Sequence, residues 1–192
     1  MKRIAFLVSG SGTNADNLIR RIKAGEIRAE ATIVISNKPG VKALDRAKEL
    51  GVPAVVISHR DFATRELFDE ALAECIDSNR IDYIVLAGFM RVLTESFVKK
   101  YYGRLINIHP ALLPAFPGAH AIKEAWDAKV KETGVTVHFV DSGVDTGPVI
   151  LQKKVCVLPA DTLETLEARI HSLEYELYPK ALNLVLPGKR IA

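Results

Sequence analysis

Apolar residues in this chain fall into short unbroken runs, separated by stretches where they recur every three or four positions. Ile4 to Val8, Ala31 to Ile35 and Ala54 to Ile57 are such runs, and Asp82 to Gly88 and Leu105 to His109 complete a series of five. Unbroken runs of this length predict strands of a parallel sheet covered on both faces. Between them, Leu18, Ile19 and Ile22 predict a first helix and residues 41–50 a second. A third is predicted over 62–79, with Leu67, Ala71, Leu72 and Cys75 on one side, and a short fourth over Thr94 to Lys100. Strands alternating with helices at this spacing imply right-handed crossovers, and ligands then bind outside the carboxyl ends of the strands.

After Pro110 the pattern changes. Residues 112–118 carry too many prolines for regular structure, and 121–129 read as a helix. Gly134 to Val140 and Val149 to Val157 read as strands, antiparallel to each other because their connection is too short for a crossover. Asp161 or Thr162 caps a last helix that places Leu163, Leu166, Ile170, Leu173 and Leu177 on one face. The expected fold class is α/β and Rossmann-like: a mostly parallel twisted sheet with helices on both faces and antiparallel strands towards the C-terminal part.

Candidate chemistry gathers at the predicted strand ends. Asn107 and His109 are two residues apart on a strand that Pro110 stops, so they share a face. An amide that can bond a developing oxyanion, beside an imidazole that titrates near neutrality, is a plausible catalytic pair. Asp145, between Gly143 and Gly147, offers a carboxylate that would favour and orient a protonated imidazole. His138 sits in an alternating strand and reads as structural, while His120 remains a candidate.

The loop Gly10-Ser11-Gly12-Thr13-Asn14 lets the backbone approach an anion at a helix N-terminus. It fits the dinucleotide pattern G-x-G-x-x-A, but strand two ends in Ser36-Asn37-Lys38, with no carboxylate to hold a ribose. A monophosphate ligand fits better.

Composition narrows the classes. The chain has 192 residues, 48% apolar and 26% charged, with net charge +3 and no long basic run, which argues for one soluble domain and against a nucleic-acid partner. Cys75 and Cys156 have no CxxC partner, so neither a zinc site nor a disulfide framework is expected. The apolar run after Met1-Lys2-Arg3 is too short for a signal peptide or a membrane span, and the expected location is the cytoplasm. No G-x-S-x-G elbow is present, and none is needed if the substrate brings its own nucleophile, such as an amine.

Several stretches together carry a specific resemblance. They are the glycine loop, Leu86 to Leu93, Asn107-Ile-His-Pro-Ala-Leu-Leu-Pro114, Pro117-Gly118 with His120, and Val144-Asp145-Thr-Gly-Pro-Val-Ile-Leu-Gln152. In order and spacing they resemble the phosphoribosylglycinamide formyltransferases, over nearly the whole chain. The resemblance implies formyl transfer from 10-formyltetrahydrofolate to the amine of 5-phosphoribosylglycinamide in purine biosynthesis, with no metal. It implies Asn107, His109 and Asp145 as the catalytic set, and Gly12, Thr13, Asn14 and Glu174 as contacts to the phosphoribosyl substrate. It also implies Arg65, Met90, Arg91, Val92, Leu93, Asn107 and Val144 as folate contacts. Residues 1–106 would form a phosphoribosyl-binding half and 107–192 a catalytic and folate-binding half of one domain. Both small-molecule substrates are then partners, and a homodimer is compatible with the resemblance. One departure is Ile122, where many members have a second histidine two places after His120. The related formyltetrahydrofolate hydrolases and methionyl-tRNA formyltransferases are alternatives, although the first would be expected to carry an N-terminal regulatory domain and the second a C-terminal RNA-binding one.

Overall fold

The structure is a computed structural model and describes residues 1–187. Its elements run β1 (Lys2–Val8), α1 (Thr13–Lys23), β2 (Ala29–Ser36), α2 (Lys42–Glu49), β3 (Ala54–Val56), α3 (Arg65–Ser78), β4 (Tyr83–Leu86), α4 (Glu95–Lys100) and β5 (Leu105–His109). They continue as α5 (Ala121–Asp127), β6 (Glu132–Phe139), β7 (Val149–Cys156) and α6 (Leu163–Val185). One sheet holds seven strands in the order β3-β2-β1-β4-β5-β6-β7. The first five are mutually parallel, while β6 runs antiparallel to both of its neighbours, as the short β6–β7 connection requires. The expected α/β class holds.

Strand alternation divides the core into two layers. Ile4, Phe6 and Val8 of β1 join Ile106 and Ile108 of β5 under α1 and α6. Ala5 and Leu7 face the other way, towards Phe68, Leu72 and Ile76 of α3 and Phe97 of α4. Every residue from Ile4 to Val8 is fully buried, which explains the unbroken apolar run.

One expectation needs correction. The helix expected over 62–79 is one helix that starts later: a single 3-10 turn spans His59–Asp61, and Thr64 then caps α3 by accepting from Leu67 N–H. Its buried face is Phe68, Leu72 and Ile76, whereas Leu67 is 46% exposed. The cause is a polar residue on the inner face. Asp69 is buried because its Oδ2 accepts from Thr94 N–H at 2.6 Å, at the start of α4, a role that hydrophobic periodicity does not register. Residues 106 and 107, between the two expected halves, both lie in β5.

α6 continues past Leu177 through Pro179 to Val185. A proline within a helix leaves the carbonyl four residues back without its N–H partner. That carbonyl, Tyr175 O, accepts instead from Asn17 Nδ2 of α1 at 3.0 Å. One residue before the proline, the buried Tyr178 hydroxyl donates to Leu86 O or Ile106 O, at 2.9 and 3.0 Å, fastening α6 over β4 and β5. Burial, first, and then the charge of Glu174 push the Tyr178 phenol well above its ordinary value, so it stays a donor.

Candidate active site

Asn107 and His109 share the face of β5 that carries Leu105, on the α3/α4 side of the sheet. The antiparallel register sets His138 directly opposite Asn107 and Thr136 opposite His109. His138 is therefore a member of the polar corner. Its own alternation was legible in the sequence, but its partner across the strands depends on register.

The β6–β7 loop brings the third group. Asp145 adopts a left-handed backbone with φ of 55°, which aspartate tolerates better than most residues. Gly147 lets this loop close: a Cβ there would lie 1.8 Å from Phe139 O, so no other residue fits. Asp145 Oδ2 then lies 3.3 Å from His109 Nδ1 and accepts from Gly118 N–H at 2.8 Å. Its Oδ1 lies 3.4 Å from Asn107 Nδ2 and 3.5 Å from His138 Nε2.

The histidines can be oriented by their partners. His138 Nδ1 donates to Phe139 O at 2.8 Å, which leaves Nε2 to accept from Asn107 Nδ2 at 3.3 Å. His109 Nε2 donates to Phe116 O at 2.7 Å, and its Nδ1 faces the Asp145 carboxylate. Both of those partners are acceptors, so a doubly protonated ring satisfies both. Phe116 itself has φ of 52°, a strained conformation for a bulky residue, and it directs the carbonyl that anchors His109. Burial works against the charge of Asp145, but the nearby imidazoles of His138 and His109 and the bond from Gly118 N–H outweigh it. Its carboxyl is held below the usual range.

This corner opens on a cavity of about 370 Å³, within the range of small-molecule sites. Met90 to Leu93 form one wall and the loop from Val140 to Asp145 another, with Asn107, His109 and His138 along β5 and β6. Met90, Val92 and Val144 are 66%, 60% and 52% exposed, an apolar rim suited to a flat aromatic ligand. Of the two arginines implied by the resemblance, Arg91 lines the cavity and stacks over Phe68, with 5.3 Å from its guanidinium carbon to the ring centroid. Arg65 is the first residue of α3, is exposed and does not line it. His120 is exposed at the start of α5, also outside the cavity lining, and Ile122 is packed in the core under that helix.

The glycine loop forms a second polar region along the same sheet edge. Gly12 has φ of 67°, and a Cβ there would lie 2.4 Å from Ala43 Cβ, so the α2 N-terminus can pack against the loop only if residue 12 is glycine. It precedes α1 without any side-chain cap, leaving the N–H groups of the first turn, from Thr13 and Asn14 onward, for an anion. Asn14 Nδ2 donates to the buried Glu174 Oε2 at 3.0 Å, so α1 and α6 meet where the resemblance placed a substrate contact. Asn14 Oδ1 is buried with no protein partner among the described residues. Glu174 Oε2 also lies 3.0 Å from His171 Nδ1, and this bond is the chief reason the His171 imidazole is raised above its ordinary value. Among the described residues, no group of three His, Cys, Asp or Glu side chains could hold a metal ion.

The class of the protein follows from residues 2–182, which match the family described as Formyl transferase. The phosphoribosylglycinamide formyltransferase of Bacillus subtilis is 39% identical over 186 residues, covering 97% of this chain and 95% of that protein. The trifunctional purine biosynthetic protein adenosine-3 of Drosophila melanogaster is 51% identical over 189 residues, and the chain spans 14% of its length. Among solved structures, phosphoribosylglycinamide formyltransferase from Bacillus halodurans has a TM-score of 0.95 at 42% identity, covering both chains in full. Glycinamide ribonucleotide transformylase 1 from Symbiobacterium toebii has a TM-score of 0.96 at 42% identity, covering 98% of this chain and 89% of that one. The chain belongs to the formyl transferase family, among its phosphoribosylglycinamide formyltransferases.

Proposed function

We propose that this chain transfers a formyl group from 10-formyltetrahydrofolate to the amine of 5-phosphoribosylglycinamide, a step of purine biosynthesis. The observation that carries the reading is the pairing of two regions along one sheet edge: the glycine loop with Glu174, and the cavity with Asn107, His109 and Asp145. The acceptor's phosphate takes the amides after Gly12, and its glycinamide end bonds Glu174. The pteridine of the donor lies in the cavity along the Met90 to Leu93 backbone, with Val144 over it. Arg65, exposed at the start of α3, is left for the donor's glutamate tail.

The amine attacks the formyl carbon and a tetrahedral oxyanion forms. Asn107 donates to that oxygen, and His109 does so by exchanging its Nε2 bond to Phe116 O, each interaction commonly worth about 3 kcal/mol. The contacts of Asn107 in the free enzyme are long, at 3.3 and 3.4 Å, and can be exchanged for a shorter bond as charge develops. Asp145 holds the His109 ring and balances the positive charge it carries while a proton passes from the amine to the departing folate nitrogen. The substrate amine is the nucleophile, so the protein needs none.

Two cysteines without a disulfide suit the reducing cytoplasm, and no helix among the described residues is long and apolar enough to cross a membrane. The test is folate release from a 10-formyl folate in the presence and absence of glycinamide ribonucleotide. Amine-dependent release with formation of the formylated product is expected. Equal release without the amine would make the chain a hydrolase and overturn the reading.

A further inference from the structure

A chain of hydrogen bonds that the reaction does not use runs along the carboxyl edge of the sheet, crossing the strand ends in their spatial order. His59, just after β3, donates through Nδ1 to Asn37 O at 2.9 Å, after β2. Asn37 Oδ1 accepts from Ser9 Oγ at 2.6 Å, at the end of β1. Ser9 Oγ in turn accepts from Met90 N–H at 2.8 Å, beyond β4. Ser9 N–H also donates to Gly88 O at 3.1 Å, so one serine brackets the turn Gly88-Phe89-Met90 from both sides. Ser9 is 6% exposed and Asn37 1%, whereas the Met90 side chain they hold is 66% exposed.

An exposed segment can present backbone groups in fixed positions only if something rigid anchors it. Here the anchor is a buried hydroxyl whose single proton is committed to Asn37, which leaves its lone pairs for Met90 N–H. Ser9 also immediately precedes Gly10-Ser11-Gly12, so the residue that starts the glycine loop fixes the cavity wall.

We propose that Ser9 is a positioning residue for the formyl-donor pocket, held in its productive rotamer by Asn37, and that it sets donor affinity by fixing the Met90 to Leu93 wall. This rests on the reading of the cavity as the folate site. Removing the Ser9 hydroxyl leaves Met90 N–H and Asn37 Oδ1 without partners and frees the wall, while the glycine-loop backbone keeps its own bonds.

The experiment uses Ser9→Ala in the full chain, with a non-reactive 10-formyl folate analogue as the donor probe. We expect donor KM and analogue Kd to rise about ten-fold, in line with the loss of a buried acceptor. The kcat at saturating donor and the Kd of glycinamide ribonucleotide should stay within about three-fold, a change of less than 1 kcal/mol. Hydrogen exchange at the Met90 amide should accelerate about ten-fold, with β1 amides unchanged. Ser9→Cys keeps the packing with a weaker acceptor and should fall between the two, which keeps the test open if Ser9→Ala folds poorly. Unchanged donor affinity and unchanged Met90 exchange would overturn the proposal. So would equal losses for both ligands that track a fall in thermal stability, since those mark a purely structural serine. If the wild-type chain binds no folate analogue, the functional reading fails, and Met90 exchange still reports whether Ser9 holds the wall.

Discussion

The two polar regions of the sheet edge are built on opposite principles. At the corner between β5 and β6, Asn107, His109, His138 and Asp145 satisfy one another, helped by Phe116 O and Gly118 N–H. At the meeting of α1 and α6, Glu174 is shared by Asn14 and His171, yet Asn14 Oδ1 is buried without a protein partner and the start of α1 has no side-chain cap. The first region is preorganised, with its hydrogen bonds made before a reacting group arrives. The second leaves an acceptor and the first-turn N–H groups open. In an enzyme whose nucleophile comes with the substrate, that division is sensible: fixed dipoles serve the chemistry, and open donors and acceptors serve recognition.

Substitutions can break this contrast, and they should do so through different kinetic constants. The largest effect is expected for Asp145→Ala, which removes the carboxylate facing His109, Asn107 and His138 together. Turnover should fall by about 10²–10⁴, the usual range for a lost acid–base partner, with little change in acceptor KM in steady-state assays. Glu174→Ala should show the reverse split. The acceptor KM should rise by about ten- to a hundred-fold, as expected for lost hydrogen bonds to a charged group, with a smaller effect on kcat.

A weaker effect is expected from Asn17→Ala, which orphans Tyr175 O opposite Pro179 and loosens α1 from α6. It should cost about 1–2 kcal/mol of stability in denaturant melts, and should weaken acceptor binding more than donor binding if the second region depends on that register. The smallest effect concerns His171. Its folded-state imidazole is raised by Glu174, so its stabilising contribution is fully present below the unfolded histidine value of about 6.5 and is lost as pH rises through the raised one. Because the side chain is half exposed, the difference between wild type and His171→Ala should stay below about 1 kcal/mol in melts from pH 6 to 9. Asp145 has the opposite sign. Its lowered carboxyl contributes stability above the unfolded carboxylate range and loses it as pH falls through the lowered value.

The parallel half of the sheet was legible in the sequence because its strands are apolar on both faces, and alternation alone carried Asn107 and His109 to one side. Asp145 was visible between its glycines. What escaped sequence reasoning depends on contacts between elements. His138 entered the corner through β5–β6 register, and the anchor for His109 is the backbone carbonyl of Phe116, which no side-chain pattern encodes. The buried face of α3 was misjudged because Asp69 sits on it to receive Thr94 N–H. Ser9 and Asn37 were visible only as small polar residues ending strands. Their bonds to one another and to Met90 depend on the order of strands in the sheet.

The measurement that tests the central claim most directly is the single-turnover rate of His109→Ala with both substrates saturating, alongside its donor affinity. If the β5–β6 corner is the formyl-transfer centre, the rate falls by at least about a hundred-fold while the folate analogue still binds. Near-wild-type formyl transfer in that variant would contradict the account.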